Sequence, residues 1–403
     1  MPPTISGIDR LERLRGTAPK RNPNVRALAR YAANSACRLA ALGFAARVDF
    51  DQLLLGTKFA GPFGQSPFAF RRGNRFEERL RENAYAPLLG LLGDTLGYAV
   101  EGARVEPVRS GFARSPKGME DRVARTAELV GEIVAGRRGA PNLLDGAMLT
   151  HDVGGVPAFF EADAVAARFE EPIHVGEIKS FPTVDGQADP DKVGAAVAQV
   201  SIYILLMREL VDRLGGDPAI VSTDALLITP RNTGLQPTLT IKPVGREVDR
   251  ARRILDQAPQ ASEIVADLPD DLPSFAVVEG SKQQREAKVV AGGPAPDGAE
   301  QRLDAAYALA ERVGTKYGPS CLASCGMARF CRERCYEAGA TERFGGQIVR
   351  LLPGIESMTR ASELARGAAP APGEAAVAAQ LTRAEDLLRR SVPAPPSGRR
   401  RAR

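Results

Sequence analysis

The feature that most limits how this chain can fold is the run from Phe159 to Tyr203, where a few polar residues punctuate apolar segments at regular intervals. FFEADAVAARF carries Asp163 inside an apolar run, and HVGEIKSF then brings Glu177 and Lys179 two positions apart. On a strand, that spacing puts both on one face. A long helical pattern follows, from about Asp191 to Leu214, with Val193, Val197, Val200, Ile204 and Leu205 on a core-facing stripe. Gln199 and Tyr203, four residues apart, share one face of it. Two strands and an amphipathic helix in this order predict an α/β fold.

The chemistry of the set is that of phosphodiester hydrolysis. That reaction needs an activated water and a cation to neutralise charge on the phosphate, and Mg²⁺ or Mn²⁺ held by hard oxygen ligands supplies both. Asp163, Glu177 and the backbone carbonyl of Ile178 are the candidate ligands. Lys179 is placed to orient or deprotonate the water or to stabilise the phosphate charge, and Gln199 and Tyr203 to contact a nucleic acid backbone or brace the metal shell. The bland alternatives are a surface ion pair on an edge strand and a Gln–Tyr pair closing the rim of the core. The tripeptide alone decides little: Glu286-Ala-Lys288 has the same spacing in a polar, Gly/Pro-bordered stretch with no acidic strand before it.

Asp163, Glu177-Ile-Lys179 and Gln199-x-x-x-Tyr203, in this order, resemble the RecB-like branch of the PD-(D/E)xK nucleases, which includes CRISPR-associated RecB-like nucleases and AddB-type helicase-nuclease subunits. The resemblance implies a restriction-endonuclease-like core, a central mixed sheet flanked by helices. It also implies metal-dependent cleavage of DNA, on single strands or ends, in repair, recombination or phage defence. An upstream helix in that family carries Gly-x-x-x-His, whose His is a further metal ligand. Gly73-Asn-Arg-Phe-Glu77 stands there in this chain, which transfers the ligand role to Glu77. The family's approach to its first core carboxylate is replaced by Glu161-Ala-Asp163, leaving open a part for Glu161. The chain has no GxxxxGK[ST] phosphate loop, so a helicase or a defence-complex protein is the expected partner.

Five cysteines, four of them in SCLASCGMARFCRERC, argue for metal binding in a reducing compartment rather than a disulfide framework. Cys321, Cys325, Cys331 and Cys335 could hold zinc by themselves, although their spacing departs from paired Cys-x₂-Cys. The resembling nucleases instead join one upstream Cys to three downstream ones around a [4Fe–4S] cluster. By that resemblance Cys37, Cys321, Cys325 and Cys331 are the ligands, with Cys335 a spare or a substitute. Such a cluster would staple the first helices to the last.

These readings divide the chain into an N-terminal helical segment (1–62), the nuclease core (63–245), a helical and insertion region (246–320), the cysteine cluster with C-terminal helices (321–366) and an Ala/Pro/Arg-rich tail (367–403) expected to be disordered. A formal charge of +5 suits a polyanionic partner, and the RRRAR ending contributes to it. No apolar run is expected to span a membrane and the first residues lack a signal peptide's apolar core, so the expected location is cytoplasmic. The rival to a nuclease is a catalytically idle DNA-binding scaffold with a structural metal cluster.

Overall fold

The computed structural model describes residues 7–16, 27–28, 34, 37–48, 50–54, 57, 59, 67–97, 100–113, 115–153, 156–167, 172–232, 234–256, 261–266, 299–318, 321, 325–344 and 346–391. Strands β1 (Val105–Glu106), β2 (Leu143–Val153), β3 (Val156–Ala166), β4 (His174–Ile178), β5 (Asp224–Pro230) and β6 (Pro237–Pro243) form one mixed sheet in that order. The helices in chain order are α1 (Gly7–Arg15), α2 (Arg38–Ala45), α3 (Phe50–Leu53), α4 (Pro67–Leu96), α5 (Pro116–Val134) and α6 (Pro190–Arg213). They continue with α7 (Gly245–Asp256), α8 (Ala261–Ala266), α9 (Ala299–Val313), α10 (Ala328–Ala338), α11 (Gly346–Leu351), α12 (Met358–Ala365) and α13 (Ala375–Ser391).

β2, β3 and β4 run as an antiparallel meander, and β5 lies parallel to β4. Parallel neighbours need a long crossover, and α6 supplies it. Its apolar stripe makes it the central helix of one sheet face: Val200, Tyr203, Ile204 and Met207 pack with Leu144, Phe160 and Val175 in the core that α5 and α7 complete. On the other face α4 places Phe76, Leu80 and Leu88 against Leu143, Ala164, Ile178 and Ile228. The protein is thus an α/β structure with helices on both faces of a mixed sheet.

A third apolar cluster joins the two ends of the chain. Leu39, Leu42, Phe50 and Phe59 pack with Leu309, Val313 and Phe330, and the Phe59 and Phe330 rings meet edge to face at 5.4 Å. Gly43 lets this happen, because a methyl group there would collide with the Phe50 ring. Gly43→Ala is therefore expected to lower stability by about 1–3 kcal/mol despite its better helix propensity. Chemical denaturation checks this; an unchanged midpoint would refute the contact.

Several elements differ from the sequence expectations. The N-terminal helix expected across Cys37 has its described part, α2, start just after it, with Cys37 as its N-cap. The helix expected to begin near Gly73 starts at Pro67 and is interrupted at Glu82–Tyr85. Pro87 explains the break: it has no N–H to donate to the Asn83 carbonyl, and its ring would clash there. His151 lies within β2, its Nδ1 2.9 Å from Glu209 Oε2 on α6. Contrary to the sequence reading, Lys192–Arg213 is long and apolar enough to cross a membrane by length and composition, but it is the core helix α6, mostly buried within the protein.

The helical and insertion region at 246–320 contains α8, whose Val265 is buried in the end-joining cluster. The decoy Glu286–Lys288 lies outside the described residues. Of the tail expected to be disordered from residue 367, residues 392–403 lie outside the described residues, and the described part to residue 391 contains α13, with Val377 and Ala378 buried against Leu364 of α12. Its amphipathic stripe finds a partner within the chain, although Leu387 and Leu388 at its far end stay exposed.

Candidate active site and thiol cavity

The β3–β4 ladder ends at Ala164↔Gly176. One step further the strands part, and the residues at the parting are Asp163 and Glu177. Asp163 Oδ2 accepts from the Ile178 N–H at 2.9 Å, taking the place of a ladder bond and fixing the carboxylate beside the Glu-x-Lys strand. The Glu177 side chain is 1% exposed and ion-paired to Lys179 Nζ. Lys179 Nζ also donates to Gln199 Oε1 at 2.9 Å, and Gln199 Nε2 donates to Tyr203 Oη at 2.9 Å. Strand parity aims Glu177 and Lys179 at α6, where i,i+4 spacing aligns Gln199 with Tyr203. Burial, then the charges of Glu177 and Asp163, hold the Tyr203 hydroxyl well above its ordinary pKa. It remains protonated, with its O–H as a donor.

Glu77 joins from α4, one residue past the buried Phe76 that anchors this helix to the sheet. Its Oε2 lies 2.9 Å from Arg81 Nη2 and 3.5 Å from Arg109 Nη1. A methyl group on Gly73 would lie 3.6 Å from Ser180, so the same helix passes directly over the residue after Lys179. The residues chosen from sequence, Glu77, Asp163, Glu177, Ile178, Lys179, Gln199 and Tyr203, therefore share one site. Burial raises the Asp163 carboxyl above its usual range, opposed by Lys179, the Ile178 N–H and Arg109, while the Glu77 charge raises it further.

The structure adds residues that the sequence reading left out. Asp145 of β2 is nearly buried, yet accepts from Arg81 Nε at 2.9 Å, Arg109 Nε at 2.8 Å and Tyr85 Oη at 2.7 Å. Burial alone would lower the Arg81 pKa, but Asp145 and Glu77 more than offset it. Burial and the bond to Asp145 push Tyr85 up to about 12. Glu161 joins through Arg122 Nη2 at 2.8 Å and Arg109 Nη1 at 3.2 Å. The buried Thr126 holds Arg122 in place by donating to the Arg122 carbonyl at 2.9 Å and accepting from the Met148 N–H at 2.9 Å. Asp145 had a legible signal, an acidic residue before Gly inside an apolar strand. The arginines had none, since Arg81 and Arg109 reach Asp145 across 64 and 36 residues of chain.

Gly146 makes this convergence work. Its φ of +75° breaks the strand's alternation, so Leu144 and Ala147, three apart, face the same core. A Cβ on Gly146 would stand 2.6 Å from Arg109 Cβ and 2.9 Å from Arg109 Nε. Asn83, Ala84 and Tyr85, at φ of 48°, 53° and 67°, are all left-handed. Such residues cost roughly 1–2 kcal/mol each, and the Tyr85–Asp145 bond is one contact that offsets the strain. Among the described residues, no three His, Cys, Asp or Glu side chains converge as the ligands of one ion; four of the carboxylates instead surround Arg109.

The cysteines gather elsewhere. Cys37, Cys321, Cys325 and Cys331 line one cavity, with Asn34, Phe50 and Met327 among its walls. Asn34 Nδ2 donates to the Lys316 carbonyl at 2.6 Å and to Cys321 Sγ at 3.3 Å. None of the five cysteines forms a disulfide. Burial, then the charges of Cys325, Cys37, Cys321 and Cys335, pushes the Cys331 thiol well up. Burial raises the Cys37 thiol as well, against backbone hydrogen bonds at Lys316 and Ala40 that lower it. Cys335 is not among the lining residues described, and its Sγ donates instead to the Arg343 carbonyl at 3.4 Å.

No family model matches the chain, and no curated protein matches it. Among solved structures it is similar to one titled "Crystal structure of SSO0001", at 11% identity and a TM-score of 0.17, over 48% of this chain and 88% of that one. A likeness at that score carries no weight for fold or activity.

Proposed function

We propose that the protein is a metal-dependent deoxyribonuclease with a restriction-endonuclease-like core and an iron–sulfur cluster joining its two ends. The observation that carries the reading is the geometry at the end of the β3–β4 ladder. A buried Glu, a second carboxylate on the Ile178 N–H, and a Lys tied to a Gln–Tyr pair meet within one site.

Asp163, Glu177, the Ile178 carbonyl and Glu77 are hard oxygen donors of the kind Mg²⁺ or Mn²⁺ takes, and they would close on the ion from their places around Arg109 and Lys179. Bound there, the ion would lower the pKa of a water and neutralise phosphate charge. Lys179, fixed by Glu177 and Gln199, orients the attacking water or supports the phosphate. The protonated Tyr203 donates a hydrogen bond, and Arg109 and Arg122 offer the bidentate groups that suit phosphate oxygens. The substrate in this reading is single-stranded DNA or DNA ends, with a helicase or defence-complex protein supplying any unwinding.

The cavity thiols fit the cluster in number and softness. Each iron of a [4Fe–4S] cluster takes its own thiolate, so four thiols around a cavity need not meet at a point. Zinc would require all four at about 2.3 Å from one ion. Cys335→Ser is expected to keep the brown colour and visible absorbance and to cost no more than about 1 kcal/mol, the value of one weak hydrogen bond. Loss of colour in that variant would place Cys335 among the ligands.

The test of the activity is cleavage of end-labelled single-stranded DNA. Cleavage that requires Mn²⁺ or Mg²⁺ and stops with chelator is the expected result. Purified protein that leaves DNA intact under every divalent ion tried would overturn the reading in favour of an idle scaffold.

A further inference from the structure

We propose that Arg109 is the resident cation of the carboxylate centre, competing with the divalent ion for its ligands and turning to the substrate phosphate when the ion binds. The proposal rests on the metal-dependent reading above.

One guanidinium contacts four carboxylates on three elements. Nε lies 2.8 Å from Asp145 Oδ1, Nη1 3.2 Å from Glu161 Oε1 and 3.5 Å from Glu77 Oε2, and Nη2 3.6 Å from Asp163 Oδ1. Glu77 and Asp163 are two of the proposed metal ligands. Carboxylates gathered around one guanidinium repel one another in a partly desolvated site, so a cation among them is stabilising whether or not an ion is bound. Burial alone would lower the Arg109 pKa, yet Asp145 and Glu161 hold it above normal.

The contacts are unequal. The stem is fastened to β2: the Arg109 N–H donates to the Asp145 carbonyl at 3.1 Å, Nε bonds the Asp145 side chain, and bare Gly146 leaves room for the side chain to lie flat. The distal end is loose, since the contacts to Glu77 and Asp163 exceed ordinary hydrogen-bond lengths. Nη2 is buried with no hydrogen-bond partner, although guanidinium donors are strong ones that rarely go unused. A side chain anchored at Nε and unsatisfied at Nη2 is suited to exchange partners. A divalent ion takes Glu77 and Asp163, Asp145 retains Nε, and the released Nη groups face the phosphate that the ion also binds. Arg109 is in this sense a positioning residue.

Isothermal titration with Mn²⁺ tests it, using wild type, Arg109→Gln, Arg109→Lys and Glu177→Gln. Arg109→Gln is expected to bind Mn²⁺ on the order of tenfold more tightly, while its KM for single-stranded DNA rises several-fold. Arg109→Lys keeps one charge but loses the fork, and is expected to tighten Mn²⁺ binding by a smaller factor. A purely structural arginine would leave the affinity unchanged or weaken it. Unchanged or weaker Mn²⁺ binding in Arg109→Gln overturns the proposal, and the same result in Arg109→Lys does so should the Gln variant fail to fold. Glu177→Gln separates the two readings. Wild type that binds no Mn²⁺, or binds it no better than Glu177→Gln, overturns the metal reading itself.

Discussion

Glu177→Gln and Lys179→Ala are both expected to reduce divalent-dependent cleavage by at least about 10³-fold, yet to differ sharply in stability. In the proposed mechanism the first removes a metal ligand and the second a group aimed at the water and phosphate, and losses of 10²–10³ follow from deleting even one preorganised donor. Stability follows a different logic. The Glu177 side chain is 1% exposed and pairs with Lys179, which is 22% exposed. Glu177→Gln removes a buried charge along with its desolvation cost and leaves a lysine that can reach water. Lys179→Ala leaves the buried carboxylate without that cation, and breaking such a pair costs on the order of 3–5 kcal/mol. Thermal unfolding in chelator should therefore show Lys179→Ala well below wild type and Glu177→Gln close to it. Equal midpoints for the two variants would mean that the pair does not govern the site's stability.

Cys331→Ser is expected to have the largest effect on the whole molecule. Cys331, on α10, lines the cavity that Cys37 at the start of α2 also lines. A covalent link closing a loop of that length stabilises by about 5 kcal/mol on the chain-entropy account. Without the proposed cluster the two ends remain joined by apolar packing around Phe50, Phe59 and Phe330 and by hydrogen bonds such as that from Asn34 to the Lys316 carbonyl. The variant should be colourless, and hydrogen exchange should rise in α2 and α10 while β2, β3 and β4 stay protected. A brown Cys331→Ser protein with wild-type exchange would remove Cys331 from the ligand set.

What could be read in advance follows the reach of local rules. Asp163, Glu177, Lys179, Gln199 and Tyr203 were legible because strand alternation and the helical i,i+4 step act over a few residues. Glu77 needed the family resemblance, since a Glu on a charged helix face carries no mark of its own. Asp145 was within reach and passed over. The break before Pro87 was legible as well, because a proline forbids the turn that precedes it. The docking of α13 was not, because whether Val377 and Ala378 are buried depends on the α12 surface that receives them.

The sequence by itself determined the α/β pattern, the central crossover helix and the order of the candidate catalytic side chains, all properties of segments shorter than about 25 residues. Only the tertiary structure decided which arginines share the centre with the carboxylates, and it brings the four thiols that the resemblance implied to one cavity. Arg81, Arg109 and Arg122 reach the carboxylates from separate elements, and Gly146 gives Arg109 its seat through a positive φ. Cys37 meets cysteines nearly three hundred residues away while nearby Cys335 turns to Arg343. Electrostatic and thiol sites are set by distance in space, and the spacing of letters along a chain does not encode it.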